Sequence, residues 1–122
     1  MAKRVLIVDD AIFMRNMIKD IFAGGGFEIA GEAANGLEAV ERYRELRPDL
    51  TTMDIVMPFK SGIEATREIV KSDPKALIVM CSALGQESLV MEAIEAGASD
   101  FIVKPFKAED VLSVVKKVLG DA

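Results

Sequence analysis

Short apolar runs alternate with longer amphipathic ones along the whole chain. The short runs are VLIVDD (5–10), FEIAGEA (27–33), LTTMD (50–54), ALIVMC (76–81) and FIVKP (101–105). They are rich in Val and Ile and bounded by Gly, Pro or Asp, the pattern of buried strands. Between them lie FMRNMIKDIFAG (13–24), LEAVERYREL (37–46), IEATREIVKSD (63–73), ESLVMEAIEAG (87–97) and EDVLSVVKKVLG (109–120). These place apolar residues at helical spacing, as in Val90, Met91 and Ile94, or Val111, Val114, Val115 and Val118.

Punctuation supports the same division. Gly24 to Gly26, Gly97 and Gly120 follow periodic segments as helix stops. Asn35-Gly36, Ser61-Gly62 and Asp73-Pro74 read as loop or turn signals. Strict alternation of strand and helix predicts an α/β fold with a parallel sheet, right-handed crossovers and helices on both faces. With 122 residues and no long linker, positions 1–122 are expected to form one domain. Two features fit less well. Thr51 and Thr52 fall in a strand that should be buried, so local hydrogen bonding is expected to satisfy their hydroxyls. The triple glycine is more permissive than one helix stop requires.

Composition narrows the function classes. A hydrophobic share of 51% with 29% charged residues is globular rather than disordered. The net charge of −5 argues against nucleic-acid binding, which needs a basic stripe. The chain has no histidine, so zinc sites and histidine-based nucleophilic catalysis are disfavoured. Its single cysteine, Cys81, sits in an apolar run and reads as a small buried hydrophobe. The opening residues run straight into a strand, which leaves no room for a signal peptide, and no apolar stretch is long enough to span a membrane. A cytoplasmic location is the resulting expectation.

The candidate chemistry sits at strand ends. Asp9 and Asp10 close the first apolar run and Asp54 closes the third. In a parallel α/β sheet these positions, together with Ser82 and Lys104, emerge at the carboxyl rim where ligands bind. Acids brought together there would repel by about 4 kcal/mol per close pair at an effective dielectric near 20, which calls for a cation. Mg²⁺ prefers oxygen ligands, and Asp10, Asp54 and a backbone carbonyl just beyond Asp54 offer three, with Asp9 holding a bound water. Asp9-Asp10 also reads as a cap on the next helix. A carboxylate beside a metal is a candidate nucleophile for phosphoryl transfer, with Lys104, Ser82 and backbone N–H groups taking the remaining charge.

VLIVDD, MDIVMP with the following Gly62, CSA and VKPF together resemble the receiver domain of two-component response regulators, in order and over essentially the whole chain. The resemblance implies a flavodoxin-like (βα)5 three-layer sandwich; its strand order, 2-1-3-4-5, is carried over from the family's known fold and not read from the residues. It implies that Asp54 accepts a phosphoryl group from a histidine kinase, that Asp10, Asp54 and the Val56 carbonyl bind Mg²⁺, and that Asp9 assists through water. It further implies that Ser82 moves to meet the phosphoryl group, that Lys104 pairs with it, and that the Lys104-Pro105 bond is cis. Ala83 keeps the family's small residue beside that group.

Within the family, DDAIFMR and CSALGQE are most similar to the stand-alone chemotaxis regulators. That implies a flagellar motor switch protein as target, a chemotaxis-type histidine kinase as donor and a phosphatase as a further partner. The chain carries no output domain after its last helix, consistent with output by direct contact. A phosphorelay intermediate and a receiver belonging to a longer regulator are the alternatives. A phosphohydrolase of the aspartyl-phosphate type would need a D-x-D on the first strand, and a flavin carrier would need a phosphate-cradling loop where DDAIFMR lies.

Three departures or consequences follow from the resemblance. Phe101 stands where the family's switch aromatic is often tyrosine, and without a hydroxyl its inward state is expected to be favoured. Val56 and Leu84 flank the site where polar residues are common, which predicts slow hydrolysis of the aspartyl-phosphate. Activation is expected to remodel the surface made by 86–97, 100–103 and 108–119.

Overall fold

The computed structural model describes residues 2–120; Met1, Asp121 and Ala122, the ends of the expected 1–122 domain, lie outside the described residues. Five strands alternate with five helices: β1 (Arg4–Val8), α1 (Ile12–Gly24), β2 (Glu28–Ala33), α2 (Gly36–Leu46), β3 (Leu50–Asp54), α3 (Gly62–Ser72), β4 (Ile78–Ser82), α4 (Glu87–Glu95), β5 (Asp100–Val103) and α5 (Ala108–Leu119). All strand pairs are parallel and the order is β2-β1-β3-β4-β5, the flavodoxin-like order. The chain reverses direction of progress between β1 and β3, so these two strands flank the crevice where such sheets bind ligands.

Pleating sorts the core into two layers. Val5 and Ile7 point to one face, where Ile18 and Phe22 of α1 and Val111 and Val115 of α5 meet them. Leu6 and Val8 point to the other, against Val40 and Tyr43 of α2, Ile63 and Ile69 of α3 and Val90 and Ala93 of α4. Continuous apolar strands are therefore needed at the centre, because both faces are covered.

Turn signals become helix caps. Asn35 accepts from the Glu38 N–H at 2.9 Å, and Ser61 forms a reciprocal capping box with Glu64 at the start of α3. The three glycines divide their work. Gly26 has φ +86, and a side chain on Gly25 would meet Leu112 of α5 at 2.7 Å, whereas Gly24 has open space around it.

One expectation needs correction. Thr51 and Thr52 are fully buried, yet neither hydroxyl has a hydrogen-bond partner among the described residues. Thr51→Val and Thr52→Val are each expected to stabilise the protein by about 1 kcal/mol, read from urea midpoints, since each removes a stranded hydroxyl. A lowered midpoint would mean that the hydroxyl is satisfied after all. On α4, Val90 and Ala93 face the core, but Met91 and Ile94 are 64% and 42% exposed. Helix α4 packs on α3 and β4, and its Val90 and Met91 share an open cavity with Phe101 and Val103 of β5. Phe101 is 40% exposed beside the same cavity. Ile102 points to the α5 side of β5, so Phe101 and Val103 point to the cavity side.

Candidate functional site

Register brings the strand-end acids together. Val8 lies opposite Met53, so the next residues along each strand are Asp9 and Asp54. One carboxylate oxygen from each of Asp9, Asp10 and Asp54 falls within a 4.8 Å cluster. Their environments differ: Asp9 is 1% exposed, Asp54 is half-buried and Asp10 is open to solvent. Neither Asp9 nor Asp10 caps α1, whose first turn follows Ala11 and receives no side-chain cap.

Lys104 reaches in from the end of β5. Its ammonium lies 3.2 Å from Asp9 Oδ2 and 3.3 Å from Asp54 Oδ1. The Lys104 N–H donates to the Ser82 carbonyl at 2.7 Å, which continues the β4–β5 ladder, and the Lys104-Pro105 peptide is cis. Ser82 ends β4, is buried, and donates its hydroxyl to the Ile102 carbonyl at 3.4 Å. Asp54 Oδ1 also accepts from the Ile55 N–H at 3.0 Å.

Electrostatics explain why this cluster is poised. Burial pushes the Asp54 carboxyl up to about 6, opposed by Lys104 and reinforced by Asp9 and Asp10. Burial works against the charge on Lys104, yet Asp54 and Asp9 hold its ammonium above the usual lysine range. Among the described residues one cation thus serves two carboxylates, and Asp10 is paired with none. An all-oxygen donor set with surplus negative charge and an open side fits Mg²⁺, a hard cation that keeps several waters. Cys81 lies beside the site in register with Asp54, but burial pushes its thiol up to about 12, which leaves it unreactive.

Exposed apolar side chains follow the strand ends. Val56 and Leu84 are 57% and 78% exposed, and Ile12, Phe13 and Phe59 are exposed as well. A cavity of about 260 Å³ runs from Ser82 and Ala83 along Val90 and Met91 to Phe101 and Val103. No helix among the described residues is long and apolar enough to cross a membrane.

Some structural partners carry no signal in the motifs. Arg15 donates to the Asp9 carbonyl at 2.6 Å and to Glu32 at 3.0 Å. Gln86 accepts from the Ala83 N–H at 2.7 Å. The Gly36 N–H donates to the Lys60 carbonyl at 3.0 Å and ties α2 to the loop after β3. Only the spacing DDAIFMR, with Arg15 between one and two helical turns beyond the acids, hints at the first of these.

Comparison with known proteins agrees with this geometry. The response regulator receiver domain model matches residues 5–116. Chemotaxis protein CheY of Thermotoga maritima is 61% identical over 118 residues, covering 97% of this chain and 98% of its own. Chemotaxis protein CheY of Bacillus subtilis is 60% identical over 120 residues, covering 98% and 100%. Among solved structures, the CheX-CheY-BeF3-Mg²⁺ complex from Borrelia burgdorferi aligns with a TM-score of 0.91 at 42% identity, covering 95% of this chain and 88% of that one. With the receiver model matched from β1 into α5 and relatives near 60% identity over almost the whole chain, the protein belongs to the response regulator receiver domain family.

Proposed function

We propose that the protein is a chemotaxis response regulator, switched when Asp54 accepts a phosphoryl group from a phosphohistidine on a CheA-like histidine kinase. The observation that carries this reading is the Asp54 carboxylate, half-buried between two further acids and one lysine. An Asp54 oxygen attacks phosphorus, the P–N bond breaks, and its electron pair leaves on the imidazole nitrogen, which takes up a proton. Asp10, Asp54 and the Val56 carbonyl would hold Mg²⁺, with Asp9 acting through a water; the ion would neutralise one phosphoryl oxygen. Lys104 exchanges its Asp54 contact for a second phosphoryl oxygen, and Ser82 leaves the Ile102 carbonyl to donate to the third.

Movement of Ser82 opens space at the end of the apolar cavity that Phe101 lines, which links phosphorylation to the face made by 86–97, 100–103 and 108–119. Both curated relatives described above are chemotaxis proteins, which supports a flagellar motor switch protein as the target. The Borrelia relative forms a complex with CheX, which supports a further regulatory partner such as a phosphatase. The proteins of this family signal through a modified side chain; a metabolite substrate has no part in this reading.

Intact mass after incubation with acetyl phosphate and Mg²⁺ tests the assignment. The wild type is expected to gain one phosphoryl group and Asp54→Ala none; an equal gain in the variant would refute it. The exposed apolar side chains of Val56 and Leu84 offer no hydrogen bond to an attacking water. Val56→Asn and Leu84→Glu are therefore expected to speed loss of the phosphoryl group, followed by mass over time. Unchanged decay in both would show that these flanks do not limit hydrolysis.

A further inference from the structure

We infer that Arg15, held by Glu32, is a positioning residue for the metal site and acts through the Asp9–Asp10 peptide. The inference rests on the reading of Asp10 as a metal ligand. Asp10 is exposed and its side chain receives no hydrogen bond among the described residues, so what the fold fixes is the backbone from which its carboxylate reaches the site.

That backbone is pinned at Asp9. The Asp9 N–H donates to the Ala33 carbonyl at 3.1 Å, and Oδ1 accepts from the Ala11 N–H at 2.9 Å. Oδ2 accepts from Lys104 at 3.2 Å. The remaining polar atom, the carbonyl, accepts from Arg15 at 2.6 Å. Because the peptide is planar, fixing the Asp9 carbonyl fixes the direction in which the chain enters Asp10.

Arg15 is itself held. Its side chain is 14% exposed, and Nε donates to Glu32 Oε1 at 3.0 Å on β2. The other Glu32 oxygen accepts from Lys19 at 2.8 Å. Hydrogen bonds from Lys19 and then Arg15 outweigh burial and hold the Glu32 carboxyl below the usual range, so Glu32 stays ionised as their acceptor. A planar guanidinium bonded on two edges cannot be copied by an ammonium, which has no fork.

Charge and geometry predict opposite signs. Removing a cation near three carboxylates would by Coulomb's law tighten Mg²⁺ binding. Loss of a positioning contact weakens it, by about tenfold where an outer partner orients a ligand. Mg²⁺ titration of the unphosphorylated protein by calorimetry, with amide shifts of residues 9–11, decides between them. Arg15→Ala is expected to bind Mg²⁺ about tenfold more weakly, and Arg15→Lys to recover only part of that loss. Arg15→Met keeps the apolar stem and replaces the alanine variant if the latter does not fold. Unchanged or tighter binding in the folded variant overturns the inference. Asp10→Asn separates the two levels: if it binds Mg²⁺ as the wild type does, the metal reading fails and this inference falls with it.

Discussion

Gly62→Ala is expected to destabilise the protein by about 3 kcal/mol or more and to impair the phosphorylation proposed for Asp54 at the same time. A Cβ at Gly62 would overlap the Asp54 carbonyl oxygen and crowd Met53 Cγ at 3.0 Å. The obstruction is backbone at the end of a central strand, which has no rotamer with which to yield. Helix α3 is also locked in place, because the Gly62 N–H donates to the Ile55 carbonyl at 2.8 Å and the Ser61–Glu64 capping box fixes its first turn. Either the helix start or Asp54 must move, so stability and acceptor geometry suffer together. Gly24→Ala is the control, since nothing lies within 4 Å of its Cβ position. It is expected to stay within about 1 kcal/mol of wild type or gain slightly. A wild-type urea midpoint for Gly62→Ala would refute the close approach.

The second large effect is a gain. Asp54→Asn is expected to stabilise the metal-free protein at pH 7 by about 2 kcal/mol, or roughly 5 to 10 °C in Tm. The Asp54 carboxyl titrates near 6 in the folded protein against 3.8 ordinarily, because burial outweighs the attraction of Lys104. The folded state therefore holds this proton more tightly than the unfolded chain does. Stability from this group is greatest below pH 4 and is lost as pH rises from about 4 to about 6. Asparagine removes that loss, although it also leaves Lys104 with Asp9 as its remaining partner, which trims the gain. Melts in EDTA across pH 4 to 7 should show wild type and variant diverging as pH rises, and Mg²⁺ should narrow the gap. Parallel curves would mean that Asp54 is not strained in the folded state. The repulsion from Asp9 and Asp10 that adds to the cost of holding Asp54 ionised is the same repulsion that a bound cation would relieve.

Most of the fold was legible because its signals are local. Each of the ten elements is a contiguous stretch whose apolar period is 2 or 3.6 residues or an unbroken buried run, and most end within two residues of a Gly, Pro, Asp or Asn. The same locality leaves the exposure of Met91 and Ile94 unread. Helical spacing reports that a face is apolar, but it does not report whether another element covers that face. Thr51 and Thr52 did mislead, since a threonine that passes for valine in a strand does not announce whether its hydroxyl has a neighbour.

Asp9, Asp10 and Asp54 were readable as a cluster because a parallel sheet delivers all strand ends to one rim, so position along the chain translates directly into position in space. The sequence by itself determined the alternating elements, the rim on which the chemistry sits and the surplus of negative charge there. Tertiary structure alone decided how that charge is shared. Lys104 meets Asp9 across 95 residues, and Arg15 meets Glu32 across 17. Between α4 and β5 a cavity remains, and Phe101 and Val103 stay partly exposed. These outcomes depend on which helix crosses which face and how closely, and distances of that kind are set by packing of the whole chain.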